Sequence, residues 1–322
     1  DKLIRYETTI DFASTPGFII GMIDGDSTYV FPYGSRSLEE NAPILSDDLF
    51  EFGGVTKLFT ALIVESLISQ HQLNLYRSIN EYLSFKNPSF DSCTIFRLLT
   101  HTAGLPKYPS GWGSLEQDTQ DPYAAFSQSD LETFFKEYKA TPAVKNDYFY
   151  SHLNYVLLSW VMQEITHLTY TELLKKYLPP DVSVSLLKNP TLPGYGLNIK
   201  PIHPWTTEVY GGSLGIRGSL RDLLNTCHHF FRPSSVFLSM LETYEVKIRK
   251  EKSRVGIGWQ VIPIPKKRFV FAHTGKTKGH HTFVGILPDT KTAVVVLSNS
   301  ATGSDGIGIS ILGMMNNNWK RK

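Results

Sequence analysis

The chain has 322 residues, 41% hydrophobic and 19% charged, a globular composition that excludes disordered, collagen-like and coiled-coil chains. Its 32 basic and 30 acidic residues leave a net charge of +2 and read as interspersed, so no dedicated nucleic-acid groove is expected. The longest apolar runs, such as Ala61 to Val64 and Ala293 to Leu297, fall far short of the roughly 18 residues that span a bilayer.

The sequence opens Asp1-Lys2-Leu3-Ile4-Arg5 with no Met and no apolar leader core, which reads as a processed or trimmed start. Phe18 to Ile23, the turn Asp24-Gly25-Asp26 and Thr28 to Tyr33 then predict a strand hairpin. A helix is expected over roughly residues 55 to 72, apolar on nearly every face and therefore surrounded by protein. From about residue 73 to 210 the signals are helical: Ile95 to Thr100, Ser129 to Tyr138, Asn154 to Thr166 and Tyr170 to Tyr177, with proline crowding the gaps. After Gly211-Gly212 a helix from Ser219 to Phe231 is expected, with Ser219 as its cap. Strands resume at Gly256 to Ile262, Phe269 to His273, Thr282 to Leu287 and Thr292 to Ser298, and a last helix follows Asp305.

Strands at both ends with helices between them predict an α/β (α+β) fold, one sheet built from both termini with a helical region inserted. Residues 1–72 and 211–322 form the sheet part in this reading, and 73–210 an inserted all-helical part. Cys93 and Cys227 read as buried small residues, and whether they pair stays open.

Three short motifs carry chemistry: Gly54-Val55-Thr56-Lys57 at the start of the buried helix, Tyr150-Ser151-His152 opening another helix, and His273-Thr274-Gly275 ending a strand. In that order they resemble the serine β-lactamase and penicillin-binding protein superfamily, in particular its class C, DD-peptidase and D-aminopeptidase branch. Further matches are Pro16-Gly17, the run from Leu98 to Pro106 (LLTHTAGLP), Gly211-Gly212 before Arg221-Asp222-Leu223, and Val294 to Asn299, so the resemblance covers nearly the whole chain. It implies a five-stranded antiparallel sheet flanked by helices, with the site between the sheet and the helical region. It also implies acyl transfer through a serine ester, on D-amino-acid peptides, simple esters or β-lactams.

The family motif at the first site is Ser-x-x-Lys, with the serine attacking a carbonyl and the lysine one turn later helping to take its proton. Here Lys57 is kept and Gly54 stands at the nucleophile's place, so no acyl-enzyme is expected from this chain by that route. Either a serine was replaced to hold an intact ligand, or a natural protein lost its nucleophile. Retention of the other motifs favours the first.

Lys57 is expected to be hydrogen-bonded within the motifs, with a lowered pKa. Tyr150 corresponds to the family's catalytic tyrosine, whose phenolate a nearby cation favours. His152 stands where most relatives have asparagine and offers one donor and one acceptor in a different geometry; Asn154 is the alternative if the register is shifted. His273 occupies the place of a lysine in most β-lactamases, and this form favours peptide or ester hydrolysis by analogy. Thr274 and Gly275 are expected to dock the substrate backbone. The backbone N–H groups of Gly54 and Lys276 are the implied oxyanion hole.

The adjacent pairs His228-His229 and His280-His281 point apart on a strand or helix, so no metal site is expected, and no cofactor. His281 reads as an ordinary surface histidine, and Tyr108, Trp112 and Tyr123 are candidates for the cleft wall. The expected partner is a small-molecule or peptide substrate, without nucleic acid or a membrane span. The resemblance points to the periplasm or cell surface. Two rivals stay open: a natural binding module for a peptide or cell-wall fragment, and an acyltransferase on the same fold.

Overall fold

The computed structural model describes residues 14–110, 121–123, 126–139, 147–186, 190–206, 208–232, 235–303 and 305–319. Among the described residues thirteen strands occur in chain order: β1 Gly17–Asp24, β2 Ser27–Gly34, β3 Phe50–Glu51, β4 Ser185–Leu186, β5 Gly194–Tyr195, β6 Pro201–Ile202, β7 Ile216–Gly218, β8 Thr243–Ile248, β9 Glu251–Gly256, β10 Gln260–Ile264, β11 Arg268–Lys276, β12 His281–Leu287 and β13 Thr292–Ser298. The large sheet is antiparallel with order β2-β1-β13-β12-β11-β10-β9-β8. β1 from the start of the chain pairs with β13 from its end, Phe18 opposite Ser298 and Asp24 opposite Thr292.

The centre of this sheet is buried on both faces, which explains its unbroken apolar sequence. Along β13, Val294 and Val296 enter one core while Ala293, Val295 and Leu297 enter the other, as the two-residue repeat of a strand requires. The first core is closed by the helix Asp305–Met315 through Ile307, Ile311 and Leu312. The second holds the helix Leu220–Phe230 and the helix Thr56–Ser69. Ser219 and Asp222 cap Leu220–Phe230 reciprocally, satisfying N–H groups that its first turn leaves orphaned.

The sheet has eight strands, not five. Two strands hide in Thr243 to Gly256 because β8 and β9 are rich in charge and present little apolar surface, with Val246, Val255 and Gly256 their only fully buried residues. The expected strand Gly256 to Ile262 is also broken in two. Gly258 has φ +75° and the Gly256 N–H donates to Trp259 O, so the chain turns between β9 and β10.

Thr56–Ser69 is buried from Thr56 through Leu67, in keeping with its all-round apolar sequence. Beside it stand His152–Thr166, Tyr170–Tyr177 and the short helix Gly211–Leu214. The segment 73–210 is not wholly helical: Ser185 and Leu186 pair with β7, and β5 pairs with β6. These pairings are two residues long, too short for an alternation to register in the sequence.

Candidate active site

A cavity of about 710 Å³ opens where the C-terminal end of β11 meets the helical elements. Gly54 lies in it, with Tyr108, Tyr148, Tyr150 and His152 on the helical side and Thr274, Lys276, Thr277 and Lys278 from β11 and the turn after it. Lys107, Tyr123 and Trp205 also line it, whereas Trp112 lies outside the described residues.

The close approach of two backbones builds the floor. A Cβ on Gly275 would collide with the Phe52 carbonyl and lie 3.0 Å from Gly54 N, and one on Gly53 would lie 2.8 Å from Lys276 N. The nitrogens of Gly54 and Lys276 thus flank one short contact between the Gly53–Val55 turn and β11. Gly54 is equally confined: a Cβ there would sit 2.7 Å from Thr274 O and 3.4 Å from the Tyr150 hydroxyl.

Lys57 is fully buried beneath the cleft, and its Nζ donates to His152 Nδ1 (3.2 Å) and Ser213 O (3.0 Å). Burial, with the nearby Lys107 charge, holds its pKa well below the ordinary lysine value. His152 is held neutral by burial and by the Lys57 charge. Its Nδ1 faces the Lys57 amine and, at 3.3 Å, Ser213 Oγ, so Nδ1 is the acceptor and the proton resides on Nε2. Tyr108 stacks on the imidazole at 5.1 Å and 27°.

Tyr150 departs from expectation. Burial, followed by the neighbouring Tyr148 and Tyr108, pushes its pKa up, and Lys57 Nζ lies over the ring, 5.2 Å from its centroid. An ammonium in that position contacts the π-face and does not stabilise phenolate oxygen by hydrogen bonding, so the tyrosine is held as the neutral phenol.

His273 lies behind Tyr150 rather than in the large cleft. It lines a small pocket with His101, Tyr148, Tyr150 and Tyr155. Its Nδ1–H donates to Gly258 O at 2.7 Å, and its buried Nε2 has no hydrogen-bond partner among the described residues. Burial and the Lys57 charge bring its pKa down to about 4. Gly54, Tyr150, His152, Thr274 and Lys276 therefore share the cleft, Lys57 supports it from below, Gly275 permits the close approach, and His273 stands apart. Asn154 is buried and turned to Leu98 O and His101 Nδ1, which leaves His152 as the residue facing the cleft. His281 is buried, not on the surface, because β12 is covered on both faces.

Two residues went unnoticed as site members. His101, within the quoted LLTHTAGLP run, accepts from the Ser151 N–H at 3.2 Å and packs its ring 4.7 Å from that of Tyr150. Glu51, three residues before Gly54, is buried and accepts from Thr277 Oγ1 (2.8 Å) and the Trp205 N–H (2.8 Å), with Arg217 at 3.7 Å and His280 at 3.3 Å. Burial pushes the Glu51 carboxyl up, but hydrogen bonds from His280, Thr277 and Trp205 outweigh it and leave it below the ordinary value. The network ties two cleft residues, Thr277 and Trp205, to the strand that delivers Gly54. A lone acid within Leu49-Phe50-Glu51-Phe52 was the available signal.

The family model for beta-lactamase matches residues 5–309. The chain belongs to the beta-lactamase family. Within this family of serine hydrolases it is 24% identical over 325 residues to a penicillin-binding protein of Bacillus subtilis (strain 168), covering 91% of this chain and 70% of that protein. It is 21% identical to a beta-lactamase of Providencia stuartii, covering 88% of this chain and 82% of that one. The beta-lactamase fold is likewise seen in a class C beta-lactamase from Rhodobacter sphaeroides, with TM-score 0.80, 18% identity, and coverage of 94% and 95% of the two chains.

Proposed function

We propose that this chain binds acyl compounds of the family's kind, D-amino-acid peptides, esters or β-lactams, in the cleft at Gly54 and holds them without forming an acyl-enzyme. The observation that carries this reading is the fit around Gly54, where a Cβ would stand 2.7 Å from the Thr274 carbonyl. Real Cβ atoms do not approach a backbone oxygen so closely, so a serine here requires β11 to move. That fit supports a nucleophile lost in the chain's own history over a single serine replaced in an otherwise working site. Lys57 supports the same reading, since its hydrogen bonds run to His152 and Ser213. A ligand carbonyl has the Gly54 and Lys276 N–H groups to accept from. Tyr108, Tyr123 and Trp205 offer apolar area, and Lys107, Lys276 and Lys278 line the cleft with no carboxylate among the described lining residues, which favours ligands bearing negative charge.

Intact-protein mass after incubation with a chromogenic ester, a β-lactam and a D-Ala-D-Ala peptide tests this, comparing the chain with Gly54→Ser, alongside calorimetric binding of the peptide. The expected result is binding by the chain and no adduct on either form. An acyl adduct or turnover on Gly54→Ser alone overturns the binding-only reading in favour of a hydrolase disabled at one position. Product analysis with an added amine or alcohol then separates hydrolysis from acyl transfer.

A further inference from the structure

Two turns at one end of the large sheet concentrate positive charge that looks dispersed in the sequence. β8 and β9 are joined by Arg249 and Lys250 alone, and both have positive φ, 50° and 71°. β10 and β11 are joined through Pro265, Lys266 and Lys267, and the two lysines have φ of 66° and 57°. Because Val255 pairs with Gln260 in antiparallel register, both turns lie at the same end of the sheet.

Positive φ is territory that glycine, asparagine and aspartate occupy with least strain. Four long cations fill these places instead, all exposed and none in an ion pair among the described residues, whereas nearby Lys252 pairs with Glu245. At the same end, the β1–β2 turn carries Asp24 and Asp26, so charge is segregated across the sheet end. Arg268, at the base of the second turn, donates to Trp319 O at 2.6 Å.

The cations stand on hairpin tips. Exposed apolar side chains accompany them: Ile262, 39% exposed, on the strand leading into the second turn, and Met314, 53% exposed, near the end of the C-terminal helix. Cations on hairpin tips, accompanied by exposed apolar groups, suit a bilayer, where ammonium and guanidinium groups meet anionic headgroups and apolar side chains enter the interface. We propose that this end of the sheet docks the protein peripherally on an anionic lipid surface. The cleft lies at the other end of β11, about 26 Å away at ~3.3 Å per residue, and so faces away from the lipid.

The test is co-sedimentation of the full chain with vesicles of phosphatidylcholine containing about 30% phosphatidylserine, against phosphatidylcholine alone, over a range of salt. The comparison is Arg249→Asn/Lys250→Gly/Lys266→Asn/Lys267→Gly, which places turn-forming residues where positive φ favours them and so preserves folding. We expect the full chain to partition to the anionic vesicles and to be released by salt. The variant's partitioning should fall by up to several hundredfold, given roughly fivefold for each of the four cations removed, while its thermal midpoint is kept or raised. Equal binding to both vesicle types, or undiminished binding by the variant, overturns the proposal. Displacement from the vesicles by an equal charge concentration of duplex DNA also overturns it, by showing a general polyanion surface.

Discussion

The two ends of β11 are built on opposite terms. At Gly275 the strand lies so close to the Gly53–Val55 turn that no side chain fits, and backbone atoms set the floor of the cleft. At Lys266 and Lys267 the backbone is in a conformation its residues disfavour, and the side chains are what matters. A site that grips a carbonyl needs fixed N–H groups and tolerates few added atoms. A surface that meets a fluid, charged plane needs cations that reach, and strain in the supporting turn does not impair it.

Gly275→Ala should break the first end outright. Its methyl collides with the Phe52 carbonyl, so we expect a loss of about 3 kcal/mol or more, or failure to fold; a denaturant midpoint unchanged from the parent would show that the two backbones separate freely.

Acid should act next, on the histidines that the glycine end keeps uncharged. Burial and the Lys57 charge bring His273 down to about 4, and burial and the Lys276 charge do the same to His281. Unfolded histidine titrates near 6.5. Above that value neither state is protonated and the full stability is present. Between about 6.5 and 4 the unfolded chain binds more protons, so stability drops as pH drops, each group withdrawing up to about 3 kcal/mol before the loss levels off. Urea midpoints at about pH 7, 5.5 and 4 measure this, and His281→Gln should flatten the slope.

Gly54→Ser sharpens the comparison with a smaller effect. Forcing a Cβ toward Thr274 O should lower stability by about 1–3 kcal/mol, read as a shift in the melting midpoint. An unshifted midpoint would mean that β11 accommodates a nucleophile without cost. At the other end the sign reverses: Arg249→Asn/Lys250→Gly should raise stability by about 1 kcal/mol by relieving positive φ. Destabilisation by that pair would show that the cations hold the turn together.

How far the sequence reveals all this depends on how local each cause is. The inner strands and the buried helix were legible because burial on every side leaves an unbroken apolar run, as in Ala293 to Leu297. The β8–β9 hairpin was not, since an outer strand pair lives largely in water and its alternation is written in Lys, Glu and Arg. The motifs located Gly54, Lys57, Tyr150 and His152 at one place. The confinement of Gly54 depends on a carbonyl more than two hundred residues away, the role of Glu51 depends on a partner as remote, and that of His101 on one 50 residues on. Charge misled for a related reason. Arg249-Lys250 and Lys266-Lys267 look like scattered pairs until the strand register places them side by side.

The pairing of β1 with β13 has a consequence in time. Asp24 is made well before its partner Thr292, so at roughly 5–20 residues per second the first hairpin waits on the order of tens of seconds for the strand that flanks it. Until then Phe18, Ile19, Ile20 and Ile23, all buried in the finished sheet, have no β13 to lie against. The nascent chain must therefore carry an apolar strand with an open edge until β13 is made, a state prone to pairing with a neighbour. Completion of the fold is set by the arrival of the last strand, whatever the speed of the helices between.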